Sequence, residues 1–168
     1  MMWAEAIVEE LKAGGIEYIA YVPDAVLQHV LERMEKDPFF RLIPTAREEE
    51  GIGVISGAYL GGKRGAMLLQ SSGLGNSVNT LASLNVPHQI PLLILVSQRG
   101  ELEEFNICQV PMGRAVRPIF DALGILHFTL QREEEIRKRV QGAIFSAYST
   151  RLPVALILST LLTGGKRG

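Results

Sequence analysis

Cysteine is almost missing from this chain. Its 168 residues hold one, Cys108, which excludes an internal disulfide framework and a cysteine-rich metal site and suits a reducing compartment. Histidine is nearly as scarce. His29, His88 and His127 are far apart and fall in no H-E-x-x-H or His/Cys spacing, so a metal held by protein ligands alone is not expected. No sign of charge dominates: 17 Lys and Arg against 18 Asp and Glu leave a net charge of −1. Outside the tail pair Lys166-Arg167 the basic residues are scattered, so no broad field exists to attract a polyanion and nucleic acid is not an expected partner. Long apolar runs are also lacking. The longest, such as residues 91–96, fall far short of the ~20 residues needed to cross a bilayer. The opening residues, with Trp3, Glu5, Glu9 and Glu10, do not follow the basic-then-apolar plan of a secretory leader. These absences lead us to expect a soluble cytoplasmic protein with no membrane contact, its residues 1–168 making one domain.

Apolar residues are plentiful, at 47%, with 21% charged, as suits a sheet covered on both sides. Short β-rich runs alternate with amphipathic helical stretches from end to end. Helices are predicted over residues 3–13, 25–35, 48–60, from after Gly73 to about 85, 114–123 and 133–149. Strands are predicted over 16–22, 41–44, 65–69, 91–96, 125–129 and 154–158. That alternation means parallel strands joined by helical crossovers. The fold class is therefore α/β, a six-stranded mostly parallel sheet with helices on both faces. In such sheets ligands bind beyond the carboxyl ends of the strands, which points to Pro23-Asp24, residues 46–48, 70–73, 97–111, Gln131 and Ser159-Thr160.

Several motifs fail on context. Residues 57–63 spell G-x-x-x-x-G-K, but Arg64 stands where a phosphate loop needs Ser or Thr, and the stretch closes a helix instead of opening one. Gly51, Gly53 and Gly57 imitate a dinucleotide fingerprint inside a helix, where close packing explains them better. Ser71 and Ser72 follow a strand but lack the G-x-S-x-G elbow and the partners of a triad.

Glu48 survives this screening. It opens a helix straight after a strand, where backbone N–H groups are free and the dipole favours a carboxylate. The helix continues with small and apolar residues over 51–58, expected to be buried against a close neighbour. Burial and the helix end act in opposite directions on such a carboxyl, which suits an acid sharing a proton with a ligand nitrogen. An ordinary first-turn acid followed by two surface glutamates accounts for residues 48–50 equally well.

The run Arg47-Glu48-Glu49-Glu50-Gly51 through Gly57-Ala58-Tyr59, then residues 65–76, Pro91-Leu92-Leu93 and Ser97-Gln98-Arg99-Gly100, resembles the pyrimidine-binding domain of thiamine-diphosphate enzymes over nearly the whole chain. Val22-Pro23-Asp24, the Ser-Gly-Leu-Gly-Asn loop ending at Asn76, and residues 100–106 and 109–114 are similar, more narrowly, to sulfopyruvate decarboxylase alpha subunits and to phosphonopyruvate decarboxylases. The resemblance implies that Glu48 hydrogen-bonds the aminopyrimidine ring and favours its imino tautomer, with Ser72, Gly73, Gly75 and Asn76 beside the cofactor. Capping of the following helix is the other role open to Asn76, and the favoured one. The implied reaction is loss of carbon dioxide from an anionic 2-oxoacid to leave an aldehyde, with sulfopyruvate expected ahead of phosphonopyruvate. Asp24 faces substrate or caps a helix. Arg47, Arg99 and Arg114, with Gln109 and behind them His88, are candidates for the sulfonate or phosphonate. Glu101, Glu103 and Glu104 would repel such an anion and are expected in solvent or at an interface.

In this family a second domain holds the diphosphate through magnesium with a Gly-Asp-Gly motif. Only three aspartates occur here, Asp24, Asp37 and Asp121, and glycine flanks none of them. The resemblance then implies thiamine diphosphate shared with a beta subunit that holds the magnesium, together with alpha-alpha contacts. A binding or regulatory module that kept the fold without the chemistry is the alternative.

Overall fold

The computed structural model describes residues 2–165; the Lys166-Arg167 pair lies outside the described residues. In chain order the elements are α1 (Met2–Ala13), β1 (Tyr18–Tyr21), α2 (Gln28–Met34), β2 (Arg41–Pro44), α3 (Glu48–Leu60), β3 (Gly65–Gln70) and α4 (Ser71–Thr80), which passes into a π-helical turn, Leu81–Asn85. Then follow β4 (Leu93–Ser97), α5 (Val110–Ala122), β5 (Leu126–Leu130), α6 (Ile136–Thr150), β6 (Val154–Leu158) and α7 (Thr160–Thr163).

Every strand pair is parallel, in the order β2-β1-β3-β4-β6-β5, so the sheet is wholly parallel and not merely mostly so. Strands β4 and β6 are buried along their full length, and β3 except at Gln70, which is why they read as unbroken apolar runs. Two apolar clusters cover the faces. Trp3, Ile7 and Leu11 of α1, Val30 and Met34 of α2 and Val140 and Ile144 of α6 pack on one face. Ile52 and Ile55 of α3, Leu74 of α4 and Val116 and Phe120 of α5 pack on the other. The assignment follows right-handed crossovers: the chain steps to one side from β1 to β2, and to the other from β2 to β3. The order therefore reverses between β1 and β3, leaving a crevice at their carboxyl ends.

Two boundaries and one burial pattern differ from expectation in ways that bear on the site. Helix α4 begins at Ser71 itself. Helix α5 begins at Val110, four residues before Arg114, with proline in its first turn, where a missing N–H costs nothing. Helix α3 buries Gly51, Ile52, Ile55 and Ser56 but leaves Gly53 and Gly57 exposed, so the small-residue helix packs closely along one side only. Of these glycines, Gly51 is the one in contact, with Met67 Sδ 2.5 Å from where a Cβ would lie. Among the described residues no helix is long and apolar enough to cross a membrane, and no group of His, Cys, Asp and Glu is placed to hold a metal.

Candidate active site

The three consecutive glutamates at the start of α3 divide their work. The residue before the helix, Arg47, is extended (φ −144°, ψ 153°) and gives no side-chain cap, so its side chain leaves the first-turn N–H groups to other partners. Glu49 pairs with Arg47 at 2.7 Å. Glu50 reaches back to accept from the Ala46 N–H at 2.9 Å, a local closure of the helix entry. Glu48 alone turns sideways, half-buried, onto α4. A Cβ on Gly73 would lie 2.2 Å from Glu48 Oε1 and 2.5 Å from its Cδ. Only glycine leaves room for the carboxyl there. The Asn76 side-chain amide donates to Glu48 Oε2 at 3.4 Å. Asn76 lies inside α4, so of its two expected roles the cap is excluded.

Gly73→Ala is expected to leave the fold intact, because the clash falls on the free end of a flexible side chain. It should nonetheless displace the Glu48 carboxyl and lower any activity that depends on its placement by at least about tenfold, since small misplacements of a reacting group cost that much or more. Thermal unfolding compared with turnover separates the two effects.

At the switch-point crevice, both carboxylate oxygens of Asp24 are engaged, one of them in the turn expected of it. Its Oδ1 accepts from Val26 N at 3.0 Å and Leu27 N at 3.1 Å, closing the turn into α2. Its Oδ2 accepts from the Gln70 amide at 2.8 Å, and Gln70 Oε1 in turn accepts from Ser72 Oγ at 3.0 Å. Asp24, Gln70 and Ser72 thus form a polar chain across the ends of β1 and β3. Gln70 belongs to the strand-end stretch 70–73 to which the sequence points, though not to the candidate site residues. Its signal was positional: the last residue of a buried strand, polar and half-exposed.

The segment after β4 overturns two expectations. Arg99 is buried at 4% exposure, and its Nε and Nη2 donate to Glu104 at 2.7 and 2.6 Å. The backbone N–H groups of Gly100 and Asn106 donate to the same carboxylate, both at 3.0 Å. Glu104 is therefore internal, not solvated. The Arg99 guanidinium and the two N–H groups outweigh desolvation and hold its carboxyl at about 2, against an ordinary 4.5, while Glu104 raises Arg99 further. With its charge matched in this way, Arg99 is withdrawn as the sulfonate or phosphonate ligand. The Arg99 N–H donates to buried Ser71 Oγ at 2.9 Å, and Ser71 donates to Ser97 O at 3.2 Å. A Cβ on Gly113 would sit 2.0 Å from the Arg99 carbonyl oxygen, so α5 crosses this backbone at a glycine.

Of the remaining candidates, Gly75 allows Met112 of α5 to approach, with Met112 Cε 3.0 Å from the place of its Cβ. Gln109 is half-buried, and its Oε1 has no hydrogen-bond partner. Arg47 and Arg114 are exposed. His88 follows the far end of α4, so the fold separates it from Glu48.

A half-buried carboxyl beside a glycine-floored surface at a strand-end crevice offers a flat ring one hydrogen-bonding partner and a close approach. Residues 1–109, which contain Asp24, Glu48 and the whole of Ser72 to Asn76, match the family model described as thiamine pyrophosphate enzyme, N-terminal TPP binding domain. The chain belongs to the thiamine pyrophosphate enzymes. Within the family it is 39% identical to the sulfopyruvate decarboxylase subunit alpha of Methanococcus maripaludis over 158 residues, 94% of this chain and 95% of that one. It is 37% identical to the sulfopyruvate decarboxylase of Methanosarcina acetivorans, where the match takes in 91% of this chain but 39% of the relative. In fold it matches a 2-oxoglutarate:ferredoxin oxidoreductase from Magnetococcus marinus at a TM-score of 0.74 and 18% identity, over 97% of this chain and 29% of that one.

Proposed function

We propose that this chain is the alpha subunit of a thiamine-diphosphate-dependent decarboxylase that converts sulfopyruvate to sulfoacetaldehyde and carbon dioxide. The observation that carries the reading is the Glu48 carboxyl lying against Gly73 at the mouth of α3. Bound thiamine diphosphate supplies the electron sink that lets carbon dioxide leave a 2-oxoacid. This chain's part is to hold and orient. Glu48 holds a proton at the ring nitrogen of the pyrimidine, and Asn76 keeps that carboxyl aimed. Gly73 leaves the backbone face open to the flat ring. Asp24, steadied by Gln70 and Ser72, faces the adjoining crevice, where substrate enters. For the sulfonate, Arg47, Gln109 and Arg114 remain once Arg99 is committed to Glu104.

The pyrimidine end belongs to this chain, and the diphosphate with its magnesium to a beta subunit carrying Gly-Asp-Gly. Two facts support that division: no aspartate here is flanked by glycine, and the longer relative has room for further domains that the alpha subunit of similar length lacks. Contacts between alpha chains complete the proposed assembly. Calorimetry should give weak or no thiamine diphosphate binding by this chain alone and tight, magnesium-dependent binding once the partner is added. Submicromolar binding without a partner would end the split-site reading. Turnover should rank sulfopyruvate above phosphonopyruvate and both above pyruvate; a clear preference for pyruvate would remove the anionic substrates.

A further inference from the structure

Side-chain polarity is largely inverted in residues 99–107, where Glu103 is the one charged residue left exposed. Arg99 and Glu104 are each only 5% exposed in their side chains and paired with each other. Glu101 is partly buried, pairs with Arg117 at 3.1 Å and accepts from the Thr160 N–H at 3.1 Å. The apolar side chains face water instead: Leu102 at 69%, Phe105 at 58% and Ile107 at 79% exposure. These are three of the eight large hydrophobics exposed on the described residues, gathered within six positions. A loop that only linked β4 to α5 would show the opposite pattern. The inward charges fix its shape: Glu104 ties it to the end of β4, and Glu101 ties it to α5 and α7. Such a surface meets a partner without the entropy cost of ordering itself.

Resting on the split-site reading above, we propose that Leu102, Phe105 and Ile107 form the docking surface for the second subunit. Continuity with the cofactor site names the occupant. The loop runs through Gln109 into α5, whose Met112 lies against Gly75, two residues from the glycine that floors Glu48. Whatever holds the other end of a cofactor seated at Glu48 must approach within one cofactor's length, which brings it against this loop. The partner's matching face is an apolar one, with the charges of Arg99, Glu101 and Glu104 already satisfied from within.

Cys108 lies in the loop, exposed and alone in the chain, so it reports on burial without any substitution. The second subunit, taken from the same genome by its Gly-Asp-Gly motif, is added to the full chain without cofactor or substrate. Maleimide labelling of Cys108 should slow at least about tenfold in the complex; an unchanged rate, or no association at all, overturns the proposal. Phe105→Ser with Ile107→Ser should weaken association at least about 30-fold, the effect of losing one interfacial hot spot. Its circular dichroism and self-association should match the parent. Undiminished heteromeric binding, or loss of self-association alone, would assign the surface elsewhere and overturn the proposal. A parent complex that assembles yet decarboxylates no 2-oxoacid would sink the functional reading and leave this surface standing.

Discussion

Replacing Glu48 with glutamine should cut turnover of the assembled enzyme by about 10²–10⁴-fold, the usual range for a positioned proton-transfer group. The substitution keeps the shape that fills the space over Gly73 and an oxygen able to accept from Asn76. In the proposed mechanism it removes the one thing the pyrimidine nitrogen requires, a carboxyl proton that can be shared. Stability should change by less than about 1 kcal/mol, as is usual where no packing is lost. Steady-state turnover and thermal unfolding of the same preparation test both halves. Near-normal turnover would take Glu48 out of the chemistry, and joint loss of fold and activity would show that its role is structural.

Glu104→Gln is expected to do the reverse, acting on stability first. Removing one member of a buried pair leaves a charge without compensation and typically costs about 3–5 kcal/mol. Here the orphan is the Arg99 guanidinium, on a side chain 5% exposed. The pair also predicts an acid limb. Because the folded carboxyl sits at about 2 and the unfolded one at 4.5, its contribution is complete above the unfolded value and disappears as the pH falls from 4.5 toward 2. That contribution is about 3 kcal/mol by linkage. Urea unfolding across that range should show the parent losing this increment and Glu104→Gln losing correspondingly less. Parallel curves for the two proteins would mean that the carboxyl is not held as described.

Much of this was legible before the fold, and the exceptions have physical reasons. The expected bounds of β2, α3 and β6 match the structure because a proline or glycine marks an edge of each: Pro44 closes β2, Gly61 follows α3 and Pro153 precedes β6. Glu48 was legible because a carboxylate at a strand-to-helix entry is a local feature. The start of α4 was not, since Ser71-Ser72-Gly73 reads as a turn. What holds the helix there is long-range: Ser71 exchanges hydrogen bonds with Ser97 and Arg99 of a neighbouring strand end. The Arg99–Glu104 pair escaped for a similar reason. Five residues apart in irregular backbone, the two share no helical face, and nothing periodic marks them as partners. Gly113 gave no warning either, because its need for a hydrogen at Cα comes from the Arg99 carbonyl oxygen crossing above it.

An ionic anchor of this kind responds to heat differently from the apolar layers around it. The desolvation penalty of a charge pair falls as temperature rises, while the gain from burying apolar surface levels off. The tie between Arg99 and Glu104 therefore strengthens relative to the two clusters flanking the sheet as the molecule is warmed. The segment after β4, which would ordinarily be the first to loosen, should keep its shape until the helices on either face begin to give way.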